Sequence, residues 1–223
     1  MEKLEVKGLS HQFRDGEKLR TVLDQIDLIF EPGKLYAILG YSGSGKTTLV
    51  SFLSGLDKAD KGTIEYDGIN IETYGLDKYR RNKSSIVFQQ YNLIEFQTAH
   101  QNLMTAMGIT DNELPPNSSD IAYNLLDFVG IGKTKADRKV KMLSGGEQQR
   151  VAIARSLATN VDLVFADEPT GNLDSESERE IIKLFKTLAN QYNKCVILVT
   201  HSDQVASSAD KILRINDGKI NYE

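Results

Sequence analysis

The 223-residue chain is 40% hydrophobic and 26% charged, close to the averages for a globular protein. A net charge of -4 and the lack of a basic run argue against nucleic acid as a partner. A lone cysteine, Cys195, excludes an internal disulfide and favours a reducing compartment, and no apolar run approaches the ~20 residues that a membrane span requires.

The first half of the chain predicts strands around a glycine-rich segment. Residues 22–30 alternate between apolar and polar, whereas residues 35–39 are wholly apolar, as expected of a strand buried on both faces. The predicted elements are strands at 4–13, 22–30 and 35–39, a helix at 47–56, a hairpin at 62–71 and a strand at 85–88.

The second half alternates apolar strands with helices. Residues 92–157 have a helical period, interrupted by a loop at 114–119. The elements that follow are a strand at 161–166, a helix at 177–190, a strand at 195–200 and a closing hairpin over 211–222. This alternation predicts a mostly parallel sheet covered on both faces, with residues 91–158 inserted as a helical unit.

Residues 40–47 fit the pattern GxxxxGK[ST] between a predicted buried strand and a predicted helix. Glycines let successive backbone N–H groups point at phosphate oxygens, and the helix that follows adds its positive end. Lys46 is expected to reach the β- and γ-phosphates, and the Thr47 hydroxyl to bind Mg²⁺. The residues predicted to bind a nucleoside triphosphate here are Gly40, Tyr41, Ser42, Gly43, Ser44, Gly45, Lys46, Thr47 and Thr48.

Two carboxylates follow the apolar strand predicted at 161–166. Asp167 is placed to hold Mg²⁺ through water, opposite Thr47. Glu168 is the candidate general base for an attacking water. Such a pair can also simply end a strand at the surface, but beside a complete phosphate loop the catalytic interpretation is favoured.

Residues 143–150 read Leu-Ser-Gly-Gly-Glu-Gln-Gln-Arg. Ser144 precedes a predicted helix, and Gly145 and Gly146 leave backbone amides uncovered, so the segment is a second anion-binding helix start. It resembles the signature motif of ABC ATPases, and it lies shortly before the acidic strand, as in that family. The resemblance adds Ser144, Gly145, Gly146 and Glu147 to the expected nucleotide-binding residues.

In ABC ATPases the signature of one subunit covers the γ-phosphate held by the other. The resemblance therefore implies a head-to-tail homodimer with two ATP sites and Mg²⁺ as the cofactor. It implies that Gln89 contacts Mg²⁺ and the water, with Gln90 as the neighbouring alternative. It also implies that Asp174 reaches across the dimer and that His201 contacts the γ-phosphate. Phe13 matches the aromatic residue that stacks on adenine, with core packing as the alternative.

The resemblance covers residues 4–222 and implies an α/β fold. Its parts are a RecA-like P-loop NTPase core, an N-terminal antiparallel β subdomain and an inserted α-helical subdomain. Residues 1–223 form one domain in this scheme, with residues 1–90 and 159–223 as the core and residues 91–158 as the helical subdomain. The implied catalytic residues are Lys46, Gln89, Glu168 and His201, and the implied metal ligands are Thr47, Gln89 and Asp167.

Residues 165–174 resemble the branch that serves macrolide export, lipoprotein release and antimicrobial-peptide efflux. The chain also ends without the C-terminal regulatory domain of many importer ATPases. Both features favour a cytoplasmic ATPase, peripheral on the inner face of the cell membrane, that powers a separate transmembrane permease for efflux or mechanical transmission. The alternatives are an importer ATPase, a non-transport ABC ATPase and a non-catalytic binding module. The presence of both Glu168 and His201 argues against the last.

Overall fold

The computed structural model describes residues 3–16 and 18–222. Its strands are β1 Leu4–Asp15, β2 Lys18–Phe30, β3 Leu35–Leu39, β4 Lys61–Tyr66, β5 Ile69–Asn70, β6 Ser84–Phe88, β7 Leu163–Asp167, β8 Cys195–Thr200, β9 Lys211–Asn216 and β10 Lys219–Tyr222. Its helices are α1 Lys46–Leu53, α2 Ile71–Tyr74, α3 Leu76–Asn82, α4 Ala99–Met107, α5 Ser118–Phe128, α6 Lys133–Ala136, α7 Gly145–Ala158, α8 Ser175–Asn190 and α9 Asp203–Ala206, with a 3₁₀ turn at Val140–Met142.

The larger sheet positions the predicted site. Its strand order within the described chain is β10-β9-β3-β8-β7-β6, and all neighbours run parallel except β10, which is antiparallel to β9. Side chains of α1 pack on one face and those of α8 on the other, which explains why β3 and β8 are buried at every residue. The carboxyl ends of β3, β7 and β8 meet at one edge, where the phosphate loop, the acidic pair and His201 follow them.

The smaller sheet is antiparallel, with the order β2-β1-β4-β5 over the residues that the structure describes. Leu4, Val6 and Leu9 of β1 are buried in the same core as Tyr36 and Ile38 of β3 and the apolar side chains of α1. A bulge between Val6 and Leu9 shifts the register, so that the apolar side chains stay on the core side. The small sheet is thereby fixed beside the phosphate loop.

The segment between β6 and β7 is mostly helical. Helices α4, α5 and α7 pack together through fully buried side chains that include Leu103, Leu126 and Val151, each stabilising the fold by about 1.5–3 kcal/mol. Helices α4 and α7 each begin with a capping box, formed by Thr98 with Gln101 and by Ser144 with Glu147. The division at residues 91–158 stays a prediction. Across residues 3–16 and 18–222, no helix has the length and apolar character needed to cross a bilayer.

The helical period predicted from residue 92 onward is wrong for its first residues. Tyr91 and Asn92 both have positive φ angles, 61° and 47°, and the chain stays irregular until Thr98 caps α4. The short helices α2, α3 and α9 were not predicted, because a turn or two of helix leaves no readable period. The residue assigned to the end of the hairpin, Ile71, instead begins α2, since the Asn70 side chain accepts a hydrogen bond from the Glu72 amide.

Candidate active site

A cleft of about 1020 Å³ opens at the carboxyl edge of the larger sheet. The predicted site residues that line it are Phe13, Tyr41, Ser42, Gly43, Gly45, Lys46, Thr47, Thr48, Gln89, Glu168 and His201. Arg14, Arg20 and Val22 line it as well, although the sequence did not single them out. The fold therefore brings the small sheet, the phosphate loop and three strand ends around one space.

The phosphate loop, residues 40–47, lies tightly against neighbouring backbone. A Cβ atom at Gly40 would lie 2.7 Å from the Ile215 side chain, and one at Gly45 would lie 2.9 Å from the Val22 carbonyl oxygen. Gly45 also has a φ of 102°, which side-chain-bearing residues rarely adopt. The Ser44 side chain is 4% exposed, and its hydroxyl has no hydrogen-bond partner among the described residues. An unpaired buried hydroxyl costs about 1–3 kcal/mol, and a phosphate oxygen is a fitting acceptor.

Lys46 is buried at the base of this loop, with 6% of its surface exposed. Its Nζ donates to the carbonyl oxygens of Gly40, at 2.8 Å, and Tyr41, at 3.0 Å, and it lies 4.0 Å from Glu168 Oε1. Neutral carbonyls compensate an ammonium charge less well than an anion does. The site therefore holds a buried positive charge that an anionic phosphate group would neutralise.

Asp167 and Thr47 converge from opposite sides of the site, with Thr47 Oγ1 donating to Asp167 Oδ1 at 3.3 Å. Burial raises the pKa of Asp167 and the charge of Glu168 raises it too, while the hydrogen bond from Thr47 and the charge of Lys46 lower it. The carboxylate is thus incompletely compensated, and it faces a hydroxyl oxygen. Hard oxygen ligands of this kind suit Mg²⁺, so the residues present fit the predicted metal.

Asp167→Asn is expected to raise the melting temperature of the nucleotide-free protein at neutral pH. The unfolded chain releases the Asp167 proton near its ordinary pKa and the folded chain only at higher pH, so this group destabilises the fold as the pH rises through that interval. Asparagine does not ionise and keeps an oxygen for Thr47. The gain should shrink toward acid pH, which calorimetry at several pH values measures.

The matched control for this variant is Glu113→Gln, an exposed carboxylate in the loop before α5. It should leave the melting temperature at neutral pH unchanged. A lower melting temperature for Asp167→Asn at neutral pH would show that the carboxylate stabilises the fold and would contradict the account given above.

Glu168 follows Asp167 directly but points elsewhere. Its φ of 47° lies in the left-handed region, a conformation that costs a non-glycine residue about 1–3 kcal/mol. The backbone N–H donates to the Val199 carbonyl at 3.0 Å, and the side-chain Oε2 lies 3.0 Å from His201 Nδ1. The strained turn therefore separates the two carboxylates, one toward Thr47 and the other toward His201.

Gln89 lies just beyond β6 at the floor of the cleft, whereas Gln90, its alternative, does not line it. The Gln89 Nε2 donates to Asn172 Oδ1 at 3.4 Å. Downstream, the carbonyls of Tyr91 and Asn92 accept hydrogen bonds from the Arg155 guanidinium, at 3.2 and 2.5 Å. Because Arg155 belongs to α7, the segment after Gln89 is tied to the helix that the signature begins.

Phe13 lies at the mouth of the cleft, where half of its surface is exposed. Its ring packs edge-on against His11, with centroids 4.6 Å apart, and His11 packs in the same manner against Phe52 of α1, at 4.8 Å. A ring this exposed is not packed in the core, so the alternative interpretation of Phe13 is wrong. The Phe13 ring is held by its contact with His11, and its exposed half is available for stacking on a planar base.

The predicted signature residues Ser144–Glu147 lie outside the cleft. The Ser144 hydroxyl accepts from the Glu147 amide at 3.3 Å, and Glu147 Oε2 accepts from the Ser144 amide at 2.9 Å. Glu147 Oε1 also contacts Lys135 Nζ at 2.6 Å. The hydrogen bonds from Lys135 and from the Ser144 amide lower the pKa of Glu147. The start of α7 is therefore firmly capped, and its residues do not line this chain's own cleft.

Asp174 also lies outside the cleft and caps α8. Its Oδ1 accepts from the amides of Glu176 and Ser177, both at 3.0 Å, and these amides and the Ser177 hydroxyl lower its pKa. A Cβ atom at Gly146 would lie 3.0 Å from Ser177 Oγ, so the starts of α7 and α8 adjoin. The structure thus brings the signature and Asp174 together, on a surface separate from the cleft.

Comparisons with known proteins agree with this geometry. The family model described as ABC transporter matches residues 23–171. The uncharacterized ABC transporter ATP-binding protein YclH of Bacillus subtilis is 45% identical over 201 residues, which cover 90% of this chain and 88% of that protein. The lipoprotein-releasing system ATP-binding protein LolD of Francisella tularensis is 38% identical over 220 residues, covering 97% and 95%. The ATP-binding cassette MJ0796, solved as a post-hydrolysis dimer bound to ADP and Pi, superposes with a TM-score of 0.88 at 34% identity, covering 99% and 97%.

The family match spans more than half of the chain and contains the phosphate loop, the signature and the acidic strand. It confirms the predicted family, and the similarity to LolD agrees with the predicted branch. The likeness to MJ0796 confirms the α/β fold with its RecA-like core. The chain belongs to the ABC transporter family, as an ATP-binding subunit that hydrolyses ATP.

Proposed function

We propose that the cleft binds ATP with Mg²⁺ and that the residues predicted for the site act as assigned. The observation that supports this most strongly is the divergence of Asp167 toward Thr47 and of Glu168 toward His201. Thr47, Gln89 and Asp167 hold the Mg²⁺, which when bound neutralises phosphate charge. The phosphate loop and Lys46 hold the β- and γ-phosphates through N–H groups.

In the proposed reaction a water oxygen attacks the γ-phosphorus in line, and the bond to the β–γ bridging oxygen breaks. Glu168 accepts the proton of the attacking water, and Gln89 orients that water. His201, whose Nδ1 lies 3.0 Å from Glu168 Oε2, exchanges this contact for one to the γ-phosphate when nucleotide binds. Lys46 compensates the negative charge that develops on the phosphate oxygens as the bond to the bridging oxygen breaks.

We infer that the complete site needs two copies of the chain in a head-to-tail homodimer. Two anion-binding helix starts occur in one chain, at α1 and α7, yet the signature does not line the chain's own cleft. Ser144–Glu147 of one subunit then close over the cleft of the other, and Asp174 reaches across the interface. MJ0796, which is similar over nearly its whole length, is a dimer.

We also propose that the chain powers a separate transmembrane permease, from the cytoplasmic side of the cell membrane, in an efflux or mechanical-transmission system. The similarity to LolD, named for lipoprotein release, supports this branch. The helical segment between β6 and β7 carries the motion to the permease, because Arg155 links α7 to the backbone after Gln89.

Copurification tests the transport assignment. A tagged copy of the chain, expressed at its native level and extracted with mild detergent, is expected to bring down a membrane protein with several spanning helices. ATP hydrolysis by that complex should differ from that of the chain alone. Recovery of the chain without any membrane protein would contradict the assignment. An extracytoplasmic solute-binding protein in the complex would instead support the importer alternative.

A further inference from the structure

The hairpin of β1 and β2 brings a second cation to the phosphate loop. Phe13 and Arg20 are direct partners in the antiparallel register, so their side chains stand on the same face of the hairpin. That face is turned to the cleft, which both residues line. The Arg20 guanidinium reaches the loop itself, with Nη2 donating to the Gly43 carbonyl at 3.5 Å.

The position of this hairpin is set by contacts near its base. A Cβ atom at Gly45 would lie 2.9 Å from the Val22 carbonyl oxygen, and one at Gly218 would lie 3.0 Å from the same oxygen. The Asp24 amide also donates to the Gly218 carbonyl at 2.9 Å. Strand β2, which carries Arg20, is therefore anchored against the phosphate loop at Val22, two residues after Arg20.

The charges around the cleft favour a polyanion near this arginine. Among the described residues that line the cleft, the formally charged ones are Arg14, Arg20, Lys46 and Glu168. Lys46 has Glu168 nearby, whereas the hydrogen bond of Arg20 to a neutral carbonyl is long and exposed. An arginine fork binds phosphate oxygens more strongly and more specifically than it binds a carbonyl.

We propose that Arg20 is a further nucleotide-binding residue, whose guanidinium exchanges the Gly43 carbonyl for phosphate oxygens of ATP. Phe13 and Arg20 then act as one unit of the hairpin, the first on the base and the second on the phosphates. The inference rests on the proposed function of the cleft. It assigns to Arg20 a contribution that grows with the number of phosphates on the nucleotide.

Titration calorimetry of the full chain with Mg-ATP, Mg-ADP and AMP tests this assignment. Arg20→Gln is expected to weaken ATP binding about three- to tenfold, ADP binding less, and AMP binding hardly at all. Arg20→Lys should recover part of the loss. Lys211→Gln also removes one positive charge, but at the amino end of β9, across the larger sheet from the cleft. It should leave all three affinities unchanged.

Unchanged ATP affinity in Arg20→Gln would overturn the inference, and so would an equal loss for ATP and AMP, which would mean that the arginine only positions Phe13. A matching loss in Lys211→Gln would overturn it too, since it would indicate a general effect of net charge. Lys46→Ala is measured in parallel. If that variant also binds ATP normally, the proposed function of the cleft fails; if it loses ATP while Arg20→Gln does not, the inference about Arg20 alone fails.

Discussion

Glu168→Gln is expected to lower the rate of ATP hydrolysis about 10²- to 10⁴-fold, the usual contribution of a positioned general base. Glutamine has nearly the same shape, but its amide does not take a proton from water at neutral pH. ATP affinity should be retained, because Lys46 and the loop amides hold the phosphates in the proposed site. Phosphate release under single-turnover conditions, with nucleotide binding measured separately, resolves the two effects.

The same variant should accumulate as an ATP-bound dimer, because the hydrolysis that would reopen the closed dimer is slow. Light scattering after gel filtration with ATP measures this.

The double variant Glu168→Gln with Ser144→Arg should stay monomeric, because the signature of one chain closes on the cleft of the other in the proposed dimer. Glu72→Gln, an exposed glutamate of α2, is the matched control with normal turnover. Near-normal ATP hydrolysis by Glu168→Gln would contradict the assignment of Glu168 as the general base.

Lys46→Ala is expected to weaken ATP binding about 30- to 150-fold, the equivalent of about 2–3 kcal/mol for a hydrogen bond to a charged group. The structure gives a reason to expect that the variant folds. The ammonium is buried against two carbonyls, with its nearest carboxylate, Glu168, at 4.0 Å, so its removal leaves no closely paired charge behind.

Calorimetric titration with Mg-ATP, together with a melting curve without nucleotide, measures both effects of this substitution. Lys58→Ala removes an exposed lysine that pairs with Glu72 and should bind ATP as the unmodified protein does. Unaltered ATP affinity in Lys46→Ala would contradict the assignment of residues 40–47 as the phosphate site. A fall in melting temperature large enough to unfold the variant at room temperature would contradict the structural account of the buried lysine.

Much of the fold was predictable because its signals are local. The wholly apolar run of β3 and the near-apolar run of β8 report burial on both faces of a parallel sheet, and the structure has both strands where they were predicted. The prediction of a helical period failed from Asn92 up to the Thr98 cap, in a segment that follows two successive positive φ angles at Tyr91 and Asn92. Their carbonyls are bound by Arg155, a residue more than sixty positions away, which no local pattern records. The capping box of Thr98 with Gln101 was the local signal that marked the true start of α4.

The order of residues along the chain was sufficient to predict the family, the phosphate loop and the candidate pair Asp167 and Glu168, because each depends on residue type at fixed spacing. The tertiary structure alone decided that Arg20 stands beside Phe13 and that Glu168 turns away from Asp167 toward His201. It also decided that the signature lies outside the cleft of its own chain. Arg20 lay outside the strands predicted at 4–13 and 22–30, so its pairing with Phe13 in the hairpin was not foreseen. The strained φ angle of Glu168 and the position of the signature relative to the cleft depend on contacts between distant segments, which spacing in sequence does not record.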